Sequence, residues 1–100
     1  MSDYKVLNNR RKEIRSDITI HPGKILQMEL EARQLKKSEF ASMLGMHPAH
    51  FSDLLHGRRH VSAGIALKLE KLLSIKAEYW LRVQVYYDLY TERMKSKKVA

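Results

Sequence analysis

The stretch from Phe40 to Gly57 constrains the chain more than any other part of it. Phe40, Ala41 and Leu44 recur at i, i+1 and i+4, the apolar stripe of a short helix running from about Lys37 to Leu44. Gly45 then stops that helix. A glycine there can adopt positive φ, which a sharp turn between helices needs. Met46 follows as an apolar plug. His47 stands at the cap of a second short helix, and Pro48 suits its first position, where a missing N–H costs nothing. Phe51, Leu54 and Leu55 face inward from that helix, which ends at Gly57. An ordinary helical hairpin would show the same apolar spacing. Two features go further. Ala41 is small enough for close helix approach and stands four residues before the turn glycine. Basic residues also flank the unit, Lys36 and Lys37 before it and Arg58 and Arg59 after it.

The rest of the chain is also read as helical. Residues 1–20 have no clean periodicity and form an arm, whose Arg10, Arg11, Lys12 and Arg15 are diluted by Asp3, Glu13 and Asp17. Within it Ile18-Thr19-Ile20 has the β-branched character of a short extended piece. His21-Pro22-Gly23 opens a helix that turns Ile25, Leu26, Leu30 and Leu35 inward and ends near Arg33 or Gln34. Ser62 caps a further helix carrying Ile65, Ala66, Leu69, Leu72 and Leu73. The last helix, from about Ala77 to Arg93, is apolar around its whole circumference: Trp80, Leu81, Val83, Val85, Tyr86, Tyr87, Leu89 and Tyr90. Such a helix must bury more than one face. One face meets the core and the other meets a second copy or a different protein. Tyr79, Val83, Tyr86 and Tyr90 are assigned to a dimer interface, and Trp80 to the core. Domain limits are set at 21–93, with 94–100 a basic, frayed tail.

Composition narrows the partners. The chain of 100 residues makes one domain, 44 % of it hydrophobic and 30 % charged. It has no cysteine, which excludes disulfides and thiolate metal sites. No apolar run approaches the roughly 20 residues of a bilayer span, and the start lacks a signal-peptide core, so no membrane partner and a cytoplasmic location are expected. The net charge of +8 favours an anionic partner: DNA, RNA or a membrane surface. The alternative is a soluble protein that is simply basic.

Two helices joined by a tight glycine-containing turn form a helix-turn-helix, whose second helix enters a DNA major groove. In this unit Pro48, Ala49 and Asp53 stand nearest the base edges, with His47, His50, Ser52 and His56 around them. Lys37, Arg58 and Arg59 are placed for phosphate. Proline and alanine cannot donate a hydrogen bond. Ala49 suits a thymine methyl, and Asp53 can accept from a cytosine amino group but otherwise repels phosphate. Few direct base contacts are expected, with His50 or the arm carrying more of the specificity.

Three stretches resemble the HigA (VapI-type) antitoxins, within the Xre/Cro-like helix-turn-helix family. They are His21-Pro22-Gly23-Lys24-Ile25-Leu26; Phe40 to Met46 continuing to Gly57-Arg58-Arg59; and Ala77-Glu78-Tyr79-Trp80-Leu81 with Gln84 and Tyr87-Asp88-Leu89. The resemblance spans residues 20–93. Many members carry Gln or Ser where this chain has Lys37. It implies an all-α, five-helix, lambda-repressor-like domain, a homodimer on a palindromic operator, and repression of its own operon. It also implies a HigB-like, RelE-like mRNA-cleaving toxin as partner, in a bacterial, nucleoid-associated setting. An orphan Xre-family regulator without a toxin is the alternative, as is a protein whose main task is to occlude a toxin.

Other chemistries fit less well. His47 and His50 are spaced i, i+3, and His56 and His60 i, i+4, but Gly57 breaks the second pair and no cysteine or carboxylate pair completes a ligand set, so no metal and no other cofactor is expected. Glu29, Glu31 and Glu39 lie on polar faces, no serine stands in a nucleophile motif, and the chain has only four glycines, too few for a phosphate loop; no enzymatic activity is expected. Trp80 and the tyrosines sit where packing, not base stacking, is the natural role. Asp88, alone among apolar neighbours, reads either as an exposed charge or as a partnered buried acid that fixes dimer geometry.

Overall fold

The computed structural model describes residues 19–99; the arm residues 1–18 lie outside it. Five helices follow one another without a strand among the described residues: α1 (Pro22–Ala32), α2 (Lys37–Leu44), α3 (Pro48–Leu55), α4 (Ala63–Leu73) and α5 (Ala77–Val99). The fold is the expected all-α, five-helix arrangement.

Each start has a local cause. His21 and His47 use the same device, extended backbone and a ring Nδ1 that accepts the N–H two residues on, from Gly23 at 2.9 Å and Ala49 at 3.1 Å. Pro22 and Pro48 then occupy the first helical positions. Ser62 caps α4 by accepting from Ile65 N at 3.2 Å. The ends are as specific. After α2, Gly45 takes φ 73°, and the N–H of Met46 reaches back to Ala41 O at 3.0 Å. After α3, Gly57 takes φ 78°, and Arg58 N reaches Asp53 O at 2.8 Å. Both are paired closures of the Schellman kind, which a left-handed glycine makes strain-free. α1 ends in the same way without glycine: Gln34 takes φ 59° and Leu35 N donates to Leu30 O at 2.9 Å. Two long side chains finish other helix ends, Lys68 Nζ donating to Leu44 O and Arg33 Nη2 to Leu73 O.

The core runs through all five helices. Leu26 and Leu30 of α1, Phe40, Ala41 and Leu44 of α2, Phe51, Leu54 and Leu55 of α3, and Ala66, Leu69 and Leu73 of α4 meet Trp80 of α5. Trp80 is fully enclosed, as expected, and its Nε1 has no partner among the described residues. Gly23 explains how α1 meets α3. A Cβ at Gly23 would fall 1.8 Å from the carbonyl oxygen of Leu54, so the two helices touch backbone to backbone.

Two expectations are corrected. Leu35 is exposed rather than inward, because it lies beyond the left-handed turn that ends α1. The last helix does not stop near Arg93 but continues to Val99. No glycine or proline interrupts the Thr91–Val99 run, Lys95 pairs with Glu92 at 3.5 Å, and strong helix formers fill the stretch.

Candidate nucleic-acid interface

α2 and α3 start side by side across a shallow cleft. Gly45 turns the chain so that α3 packs Phe51, Leu54 and Leu55 inward and leaves its first turn in solvent. His47, Pro48, Ala49 and His50 are exposed there, and Ser52 and Asp53 are half-buried one turn on. His47 and His50 face each other with ring centroids 5.5 Å apart. The Nδ1 of His47 is committed to the cap, so its Nε2 is the nitrogen that faces outward chemistry. His56 closes the helix with Nδ1 2.8 Å from Ser52 O; a carbonyl only accepts, so that nitrogen carries the proton.

The start of α2 lies beside this turn. Lys36 is the N-cap residue, but among the described residues no side chain accepts from the first backbone N–H groups of α2, an end that can meet an anion. A shallow cleft of about 200 Å³ separates the two helix starts, lined by Lys37, Ser38, Ala41, Pro48, Phe51, Ser52, Leu55 and His56. Its floor is apolar and its rim carries one cation, hydroxyls and an imidazole. On the far side of α3 the loop holds Arg58 and Arg59, both exposed. Arg59 and Lys37 have no ion-pair or hydrogen-bond partner among the described residues. Arg58 differs, since its Nε donates to Asp53 Oδ1 at 3.1 Å. Asp53, expected as a cytosine acceptor, therefore has its carboxylate partly satisfied within the chain.

The residues expected at this surface are thus brought together, and the structure adds a group the sequence reading did not single out. His21 is buried, its ring edge-on to Tyr87 at 4.9 Å. Burial pushes its imidazole below the ordinary value, the charge of His60 adds to that, and the Asp88 carboxylate opposes it. Asp88 Oδ1 accepts from Gln84 Nε2 at 3.0 Å and lies 3.3 Å from His60 Nε2. Asp88 falls between the two readings: it is partnered, yet its side chain is 45 % exposed and not buried. The signal available in the sequence was spacing: Trp80, Gln84 and Asp88 are four apart, on the buried side of α5.

On α5 the four tyrosine and valine positions form a lengthwise stripe at i, i+4, i+7 and i+11. Tyr79 and Tyr86 are exposed, Tyr86 by 52 %, and Val83 and Tyr90 are half-buried. Val85 and Leu89 beside them are exposed as well. No helix among the described residues is long and apolar enough to cross a membrane, and none of their His, Asp and Glu side chains group in threes that could hold a metal ion.

A compact five-helix domain with a glycine-turned helix pair and a cationic rim defines a DNA-binding helix-turn-helix module. The chain belongs to the Helix-turn-helix family, of the Xre-like type, whose model matches residues 26–80. This is a family of DNA-binding regulators and antitoxins, not of enzymes. Among curated proteins the chain is similar to virulence-associated protein A' of Dichelobacter nodosus, 34 % identical over 70 residues, which cover 69 % of this chain and 61 % of that protein. The chain thus spans about three fifths of that relative's length. Among solved structures it is similar to an addiction module antidote protein of the HigA family from Coxiella burnetii, with 33 % identity, TM-score 0.73 and coverage of 80 % and 88 % of the two chains. It is also similar to the Pseudomonas aeruginosa antitoxin HigA solved with the higBA promoter, with 28 % identity, TM-score 0.74 and coverage of 81 % and 89 %.

Proposed function

We propose that this protein is the antitoxin of a type II toxin–antitoxin pair, which binds operator DNA as a dimer, represses its own operon and neutralises a HigB/RelE-like mRNA-cleaving toxin. The observation that carries the DNA half is the exposed first turn of α3, flanked by the start of α2 with Lys37 on one side and by Arg59, without a partner among the described residues, on the other. The similarity to a HigA solved with promoter DNA supports the same reading. In it, Lys37, Arg58 and Arg59 meet phosphate, and His47, Pro48, Ala49, His50, Ser52, Asp53 and His56 line the groove. The stripe Tyr79, Val83, Tyr86 and Tyr90 supports the dimer, which sets two recognition helices one DNA turn apart, roughly 34 Å.

Two measurements test this. The first is binding of the protein to the duplex upstream of its own reading frame, against a scrambled duplex of equal length. The second is co-expression with the product of the adjacent frame, whose growth arrest the antitoxin should relieve. Sequence-selective binding without relief of any toxin would make the protein a stand-alone regulator. Absence of selective binding would remove the operator half of the proposal.

A further inference from the structure

The loop between α3 and α4 carries Arg59 at its centre and is held at both ends by one side of α5. At its far end the N–H of Val61 donates to Gln84 Oε1 at 2.8 Å. Gln84 is only 5 % exposed, so both ends of its amide must be paired. The other end donates to Asp88 Oδ1, and His60 Nε2, inside the loop, lies 3.3 Å from the same oxygen, an ion pair when the ring is protonated. At the near end the His21 ring packs against Gly57, where a Cβ would lie 3.5 Å from its Cγ, and the same ring contacts Tyr87. Gly57, His60 and Val61 are thus referenced, directly or through His21, to residues 84, 87 and 88, which lie within about one turn of α5. Arg59 alone is left without a partner among the described residues.

We propose that Gln84 and Asp88 are positioning residues for DNA binding: they fix the Gly57–Val61 loop so that Arg59 is presented to phosphate from a backbone already in place. This rests on the DNA-binding reading above. The physical ground is that a contact made by a prearranged loop does not lose the ordering entropy that a free loop must give up on binding. The same helix carries the Tyr79–Tyr90 stripe, so in a dimer the two phosphate-gripping loops are referenced to each other through α5.

The charge of Asp88 makes the test decisive. Removing a carboxylate from a cationic surface should by charge alone tighten DNA binding. Positioning requires the opposite. Asp88→Ala is expected to weaken duplex binding on the order of tenfold at low salt. It should also reduce the salt slope by about 1 per protomer, as Arg59→Ala does. Asp88→Ala combined with Arg59→Ala should bind no worse than Arg59→Ala alone. A swap checks the hydrogen bond itself. Gln84→Glu sets two carboxylates together and should weaken binding. Adding Asp88→Asn restores a donor opposite the new acceptor, and should recover most of the loss. Helix content and sedimentation are recorded for every variant. If Asp88→Ala fails to fold, the swap pair carries the test, and no recovery over Gln84→Glu overturns the proposal. Parent-like or tighter binding by Asp88→Ala, with Arg59→Ala weakened, also overturns it while leaving the DNA reading intact. If the parent binds no duplex, the DNA reading falls first and this inference with it.

Discussion

Arg58 is bonded to Asp53 twice, by its guanidinium Nε to the carboxylate at 3.1 Å and by its backbone N–H to the carbonyl at 2.8 Å. The backbone bond ends α3, and the side-chain bond holds a cation beside the one carboxylate of α3. The pair is well exposed, so its contribution to stability is small. Its effect falls on binding. Asp53→Ala removes the competing acceptor and frees Arg58 for phosphate. Non-specific duplex affinity should rise and the salt slope steepen by up to about 1 per protomer. Titrations at several salt concentrations read both; unchanged slope and affinity would mean that Arg58 does not reach DNA.

His50 is the outward donor in the first turn of α3 with no hydrogen-bond partner among the described residues. His50→Ala should relax sequence preference by about 1–3 kcal/mol for each lost base contact, with little effect on non-specific binding. Selection from random duplexes checks this. An unchanged preferred site would move specificity to the arm.

Tyr86 is the most exposed member of the α5 stripe. Tyr86→Glu should split the dimer, leave helix content near the parent's and cost most of the operator affinity, because each half-site alone binds weakly. Sedimentation at micromolar concentration decides. A parent that is already monomeric would assign this face to another protein.

Gly23→Ala and Trp80→Ala should both destabilise, for opposite reasons. The first drives a methyl into the Leu54 carbonyl and separates α1 from α3, at roughly 3 kcal/mol or more. The second empties the centre of the core, at roughly 3–5 kcal/mol. Denaturant titration measures each, and a Gly23→Ala variant as stable as the parent would refute the backbone contact.

His21 makes stability depend on pH. Burial and then the charge of His60, against the opposing Asp88 carboxylate, hold its folded pKa below the unfolded value of 6.5. Between those two values the unfolded chain binds more protons, and stability rises with pH through that window. The contribution is full above about 6.5 and is lost as pH falls toward the folded value. His21→Asn keeps a cap acceptor without a titrating ring, and should flatten that part of the stability profile measured by thermal melts.

The helices were legible because their boundaries are written in local chemistry: prolines after capping residues, glycines after apolar stripes. The left-handed turns at Gln34 and Ser74, φ 59° and 61°, were not, since glycine usually marks that position, although the end of α1 itself was placed correctly near Arg33. The end of α5 was missed because an exposed run of Glu, Arg, Met and Lys reads as a tail, yet propagates a helix already begun. At the site, spacing was enough to gather the outward residues of α3. It could not show that Arg58 would turn back onto Asp53, or that Gln84 would reach a loop 23 residues earlier in the chain. Those are tertiary contacts between polar groups, and no periodicity announces them.

The meeting of Gly23 with the Leu54 carbonyl has an evolutionary consequence. α3 is seated by its backbone against α1 and by Phe51, Leu54 and Leu55 beneath, while the side chains of Ala49 and His50 are exposed and take no part in the core. Lineages of this chain can therefore drift through new side chains at Ala49 and His50, and so through new operators, with the scaffold indifferent to the change.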